Sequence, residues 1–278
     1  MMTSNLSQMH TSIKRAAEWL HQADGLLIGA GAGMGVDSGL PDFRGTTGFW
    51  QAYPALGQAR IAFEEIANPE AFRRNPILAW GFYGHRLVRY RDTVPHAGFA
   101  VLQRFAARLP SGARVFTSNV DGQFQRAGFL PDTVCEVHGS IHHLQCAEPC
   151  CDDIWPADAF LPDIDANACR LLSPLPRCPH CGGLARPNIL MFGDPGWIGR
   201  RSELQRARLD HWLRSVERLA IIELGAGLAV PTVRWFCESF GMPLIRINPV
   251  SPDVSSSRAV GMALGAQEAL EAIEAALP

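Results

Sequence analysis

The chain has 278 residues, 47% of them hydrophobic and 19% charged, and a formal net charge of -2. That balance fits a globular protein of one large domain or two smaller ones and excludes an intrinsically disordered chain. No broad basic field is available for nucleic acid, and no apolar run is long enough to cross a bilayer.

In chain order, residues 12–22 read as an amphipathic helix with Ile13, Ala16, Ala17 and Leu20 on one stripe. They do not read as a signal peptide, which points to the cytoplasm and away from membranes. Gly25–Ala30 reads as a buried strand running into the glycine-dense turn Gly31-Ala-Gly-Met-Gly-Val-Asp-Ser-Gly-Leu-Pro-Asp-Phe-Arg-Gly45. Residues 46–98 are aromatic-rich and helical, with Asn75-Pro76 as cap and first turn. A helix over 99–109 and a strand over Ala113–Thr117 follow. Residues 141–188 hold six of the eight cysteines, several prolines and little periodicity. Beyond them come a helix over 203–216, a strand at Leu219–Leu224, a helix over 232–240, a strand over 243–247 and a helix over 266–277. Strands alternating with helices predict an α/β, Rossmann-like doubly wound parallel sheet. The segments 12–45, 99–140 and 189–278 would form the sheet domain, 46–98 a helical insertion and 141–188 a cysteine module.

Glycine permits a tight turn and lets backbone N–H groups come close to a phosphate. The spacing is not that of the ordinary dinucleotide fingerprint, because glycines at 29, 31, 33 and 35 give no G-x-G-x-x-G register. Instead the turn ends in Pro41-Asp42-Phe43-Arg44. Cys146-Ala-Glu-Pro-Cys150 and Cys178-Pro-His-Cys181 form two knuckles whose four thiolates suit a structural zinc ion. Cys151 follows Cys150 directly, so either is available as the fourth ligand. Cys135, Cys169 and Cys237 lack partner spacing and read as ordinary buried thiols. Acidic residues around the knuckles argue against a zinc ribbon that grips nucleic acid. Thr117-Ser-Asn-Val-Asp-Gly122 and Glu136-Val-His-Gly-Ser140 lie at strand ends, where an open α/β sheet binds ligands. Taken alone, Asn119 and Asp121 read as turn residues and His138 as a structural histidine.

Taken together and in this order, these motifs resemble the sirtuins, the NAD-dependent protein lysine deacylases. Arg186-Pro-Asn-Ile-Leu-Met-Phe-Gly-Asp194 is similar to their substrate-binding segment, with Met191, Phe192 and Gly193 at its centre. Gly225-Ala-Gly-Leu-Ala-Val-Pro231 resembles their second phosphate and ribose turn, and Asn248 the strand end at the adenosine ribose. The resemblance implies that Gly31, Ala32 and Gly33 meet the pyrophosphate, with Asp42, Phe43 and Arg44 close to the cofactor. Asn119 would orient the nicotinamide ribose beside Ser118, and Asp121 would bind the nicotinamide carboxamide. The acyl oxygen of the modified lysine would attack the anomeric carbon, with His138 as general base on the ribose hydroxyl. Products would be free lysine, nicotinamide and O-acyl-ADP-ribose.

The chain departs from the family where it carries Gly35 for a usual serine, Ser118 for a glutamine, and Ala226 and Gly227 for Thr-Ser. Each change removes a side-chain hydrogen bond from the cofactor shell, worth about 0.5–1.5 kcal/mol. The pair Tyr83 and Arg86 resembles that by which one sirtuin class recognises malonyl-, succinyl- and glutaryl-lysine. The bland reading is an ordinary amphipathic helix with Leu78, Phe82 and Tyr83 toward the core and Arg86 solvated. The rival enzyme reading keeps the fold but lets water or another protein group capture the ribose, giving an NAD hydrolase or mono-ADP-ribosyltransferase. A non-enzymatic NAD sensor would have no need of His138.

Overall fold

The computed structural model describes residues 2–42 and 45–278, with side chains described for 7–42 and 49–278. Phe43 and Arg44, both expected at the cofactor, lie outside the described residues. In chain order the strands are β1 (Gly25–Ala30), β2 (Ala113–Thr117), β3 (Val134–Glu136), β4 (Gly139–Cys146), β5 (Ile154–Pro156), β6 (Ile164–Asp165), β7 (Arg170–Leu171), β8 (Ala185–Ile189), β9 (Leu219–Leu224), β10 (Leu244–Ile247) and β11 (Ala259–Met262).

Six of them form one parallel sheet in the order β11-β10-β9-β1-β2-β3. Leu26 and Ile28 alternate with Leu27 along β1, so the strand feeds both faces. Leu26, Ile28 and Ala30 join a core with Val115, Ile222 and Ile245, covered by the helices Met2–Gln22, Ala97–Arg108 and Ala266–Ala275. Leu27 joins the opposite core with Phe116, Ile221 and Leu244, covered by Arg200–Leu213 and Thr232–Glu238. This is the doubly wound architecture expected from the alternation of elements. The chain leaves β1 toward β2 and returns to place β9 on the other flank. The strand order therefore reverses beside β1, opening a crevice at the carboxyl ends of the strands.

A third core joins the helical segment to the cysteine segment: Phe72, Trp80, Phe82 and Leu87 pack with Ile141, Leu144 and Leu171. Within residues 141–188, expected to be irregular, β5-β4-β8 and β6-β7 form two small antiparallel sheets. Asn75 caps Pro76–Asp92 as expected, its Oδ1 accepting from Leu78 N at 3.1 Å. The two glycines inside that helix let β6 and β7 cross it closely. A Cβ on Gly81 would run into the Cys169 carbonyl, and one on Gly84 would lie 2.7 Å from Ile164 Cδ1.

Candidate functional site

Two glycine turns meet at the crevice. Gly31 N donates to Leu224 O (2.9 Å), Gly33 N to Gly225 O (3.1 Å) and Gly225 N to Ile247 O (3.0 Å), so the ends of β1, β9 and β10 are tied together. A Cβ on Gly33 would lie 2.6 Å from Gly225 Cα, and one on Gly31 would lie 2.8 Å from Ala226 Cα. Backbone thus packs on backbone, and Gly225 adopts φ +58°, which glycine tolerates without strain. Ala32 begins a short 3-10 helix that ends at Ser38. At Gly35 a Cβ would press on Leu40 at 3.2 Å, so the missing serine goes with the packing of that leucine.

Beyond β2, Thr117 Oγ1 donates to Ala30 O (2.9 Å) and accepts from Asn119 N (3.0 Å). Asn119 Nδ2 donates to Gly31 O at 2.9 Å, which anchors the half-buried Asn119 directly on the first glycine turn. Ser118 N is held by Ala30 O at 3.2 Å. Asp121 is buried and accepts from Gln123 N at 2.9 Å, while its carbonyl meets His142 Nε2 at 2.9 Å. Burial pushes its carboxyl up to about 6.

His138 sits half-buried between β3 and β4, its carbonyl accepting from Leu190 N at 2.9 Å. Burial lowers the pKa of its ring below the usual histidine value, and the backbone of Ser118 offsets part of that. The imidazole is therefore neutral at physiological pH, the form a general base requires.

The segment 189–194 is braced from below. Arg186 and Asp194, whose side chains are 1% and 0% exposed, form two hydrogen bonds of 2.8 Å. Met191 N reaches Asp194 Oδ2 at 3.3 Å and is buried, whereas Phe192 stands out beside Phe63, with ring centroids 5.9 Å apart. Gly193 has φ +58°. Ala226 is buried, and exposed Leu228 and Val230 follow it and Gly227 along the opposite turn. Asn248 is buried, its Nδ2 donating to Ala226 O (3.0 Å) and its Oδ1 accepting from Val250 N and Ser251 N (both 3.0 Å). The Asn248 side chain therefore holds the second turn in place. Asp42 is half-buried.

Tyr83 is buried, its ring stacked on Phe72, and burial pushes its phenol up to about 12. Arg86 is half-buried, with its guanidinium 5.2 Å from the Phe82 ring centroid, 5.8 Å from that of Tyr83 and 5.4 Å from that of Tyr90. The Arg86 guanidinium also engages the phenol of Tyr90: Nε and Nη2 donate to Tyr90 Oη at 3.0 and 2.8 Å. Tyr90 O in turn accepts from Gln123 Nε2 at 3.1 Å, linking Arg86 to the residues beside Asp121.

The sulfurs of Cys146, Cys150, Cys178 and Cys181 lie within 4.8 Å of one another. Cys146–Cys181 and Cys150–Cys178 are each 3.7 Å apart. A tetrahedron of Zn–S bonds of about 2.3 Å has edges of about 3.8 Å, so the four sulfurs fit zinc. The two candidates for the fourth position are thereby separated: Cys150 is in the tetrad and Cys151 is outside it. Cys135, Cys169 and Cys237 are buried, as expected.

The sequence reading missed a buried charge cluster under the second turn. Glu223 on β9 takes Arg246 of β10 in a pair of bonds at 2.7 and 2.8 Å, and Arg246 also reaches Glu238 at 2.6 Å. Charged residues inside otherwise apolar strands were the signal, because a buried charge requires a partner.

Asp121 carries a testable cost. A carboxyl whose pKa rises from 3.8 to about 6 on folding favours the protonated fold, so its stability contribution is present below pH 3.8 and lost as pH rises through 6. Asp121→Asn is therefore expected to raise unfolding stability at pH 7.5 by up to about 3 kcal/mol. The gain should vanish near pH 4, as urea melts at the two pH values would show.

A family model described as the Sir2 family matches residues 31–212. An NAD-dependent protein deacylase of Aquifex aeolicus is 35% identical over 225 residues, covering 79% of this chain and 81% of that protein. The NAD-dependent protein deacylase sirtuin-5, mitochondrial, of Canis lupus familiaris is 35% identical over 187 residues, covering 62% of this chain and 57% of that protein. Among solved structures, one described under the structural basis for the mechanism and regulation of Sir2 enzymes aligns at TM-score 0.68 and 25% identity. It covers 96% of this chain and 98% of that one. A Sir2 homologue in complex with NAD aligns at TM-score 0.67 and 23% identity, covering 94% and 92%. With its doubly wound sheet, paired glycine turns and matching family model, this chain belongs to the Sir2 family.

Proposed function

We propose that this chain is an NAD-dependent protein lysine deacylase. The observation that supports the reading is that Asn119 Nδ2 is bonded to Gly31 O and the His138 ring to the Ser118 backbone, where the two glycine turns pack on each other. The two glycine turns would hold the pyrophosphate, with Asn248 fixing the second of them. Asn119, anchored on Gly31 O, would orient the nicotinamide ribose, and Asp121 would meet the carboxamide. NAD, when bound, supplies the anomeric carbon that accepts the acyl oxygen as nicotinamide leaves. His138, neutral and held between the Ser118 and Leu190 backbones, would take the ribose hydroxyl proton. The acyl-lysine peptide would lie between residues 190–193 and 226–230. Cys146, Cys150, Cys178 and Cys181 would hold a zinc ion with no open position, which builds structure and does not catalyse.

Support for the activity comes from the deacylase names of the relatives together with that geometry. Incubating the protein with NAD and acyl-lysine peptides, and reading products by mass, tests it. Peptide-dependent O-acyl-ADP-ribose is the expected product. Equal NAD loss without peptide would install the hydrolase reading instead.

Acidic acyl groups are the finer part of the reading. A half-buried guanidinium in an aromatic setting suits a carboxylate, which it binds through charge-assisted hydrogen bonds. Tyr90, four residues on, aims the Arg86 fork. Arg86→Ala is expected to lower succinyl-peptide turnover by roughly 10–150-fold while changing acetyl-peptide turnover little. Equal losses on both, or no succinyl turnover by the wild type, would remove the carboxylate role.

Among the described residues, no helix is long and apolar enough to cross a membrane.

A further inference from the structure

The cysteine module carries more metal donors than one tetrahedral ion uses. Cys151 Sγ, a carboxylate oxygen of Asp153 and a ring nitrogen of His180 lie within 4.8 Å of one another, and none of the three belongs to the four-sulfur cluster. His180 Nε2 is 2.7 Å from Asp153 Oδ2. Cys150 Sγ, a member of the tetrad, is 3.8 Å from Cys151 Sγ, close to the 3.7 Å that separates it from Cys178 Sγ within the tetrad.

We infer that the module binds a second metal ion, held by Cys151, Asp153 and His180, with the Cys150 thiolate shared between the two ions. Sharing supplies the fourth ligand that a closed tetrahedral site needs. Thiolate, imidazole and carboxylate together select zinc or a similar borderline divalent ion, and the sulfur excludes magnesium and calcium.

The choice of bridging sulfur follows from access. Cys146 and Cys178 are buried, while Cys150 and Cys181 are exposed. Cys181 Sγ already accepts from Gly183 N at 3.4 Å and lies 3.7 Å from Cys146 Sγ. Cys150 alone combines an exposed sulfur with contact to Cys151. Charge points the same way. Four thiolates around one divalent ion leave a net charge of about -2, which a neighbouring cation offsets.

An exposed carboxylate–imidazole pair alone stabilises a fold by little. Here it stands beside a fifth sulfur, that of Cys151. Asp153 also borders a cavity of about 940 Å³ that reaches Asp121 and His142, giving an ion an entry path. With the Asp153 and His180 side chains 57% and 50% exposed, the second ion should exchange faster than the first.

The test is metal stoichiometry on the full chain, saturated with zinc, freed of excess by gel filtration and measured by elemental analysis. Two zinc ions per chain are expected, falling to one after brief treatment with a chelator while circular dichroism stays unchanged. His180→Ala and Asp153→Asn should each load one. Cobalt titration of the wild type gives a second readout that needs no variant. The first equivalent should bring the larger thiolate-to-metal absorption, and the second a smaller step. Saturation at one ion, or two ions retained by His180→Ala, would overturn the second site alone. No bound metal at all would overturn the four-thiolate site with it. Neither result bears on deacylation, which the peptide assay reads separately.

Discussion

His138→Ala is expected to lower acyl-peptide turnover by about 10²–10⁴-fold, the usual cost of removing a general base. The fold should persist, because the structural bond at this position is made by the backbone: His138 O accepts from Leu190 N. NAD affinity should change little, since the two glycine turns that would hold the pyrophosphate lie on other residues. The pH profile supplies a second signature. Burial holds the wild-type ring below 6.5, so kcat/KM should fall only as pH drops beneath that value and the base takes up its proton. The alanine variant should lack that acidic limb. Full turnover by His138→Ala, or an unchanged acidic limb, would remove His138 from the chemistry.

The central sheet was legible because its strands are buried on both faces. β1 is a continuous apolar run and β9 one interrupted only by Glu223, each leading into a glycine turn, which is the pattern that burial in a parallel sheet imposes. The edge strands β3 and β11, three and four residues long, are too short to show a period. β8 was hidden for another reason. Its sequence Ala-Arg-Pro-Asn-Ile carries an arginine, a proline and an asparagine, yet all five residues are buried. The arginine is paired with Asp194, and Asn188 Nδ2 bonds both Gln145 Oε1 and Ile198 O at 2.9 Å. Polar residues satisfied by distant partners look like a loop when read in one dimension.

The candidate site was legible as motifs and less so as contacts. Motif order singled out Asn119, Asp121 and His138 as candidates, whereas the contact by which the Asn248 side chain holds the turn at Ala226 has no motif signature. The choice between Cys150 and Cys151 depended on sulfur positions that chain spacing does not specify. Arg86 and Tyr90 are four apart on a helix, so their contact is legible from spacing, as is that of Tyr83 and Arg86 three apart. The hydroxyls lost at Gly35, Ala226 and Gly227 have a partial structural counterpart. Leu40 fills the space at Gly35, and close backbone packing surrounds Ala226.

Asp194→Ala is expected to destabilise the protein by about 3–5 kcal/mol, because it strands the Arg186 guanidinium in the interior without its counter-charge. Arg186 Nη1 then keeps only the Ile189 carbonyl, now at 3.4 Å. The same substitution removes the acceptor for Met191 N, so the segment 190–193 loses its brace as well. Two effects are thus superimposed, and a second variant separates them. Replacing both partners with apolar residues of similar size, Arg186→Met with Asp194→Leu, removes the buried charges together and should recover much of the lost stability. It does not restore the acceptor for Met191 N. The double variant should therefore melt close to the wild type while its KM for acyl-peptide stays raised and its NAD affinity stays normal. If peptide KM recovered along with stability, the ion pair would be a folding element only. If neither recovered, the loss would lie in packing around Met191 and not in the stranded charge.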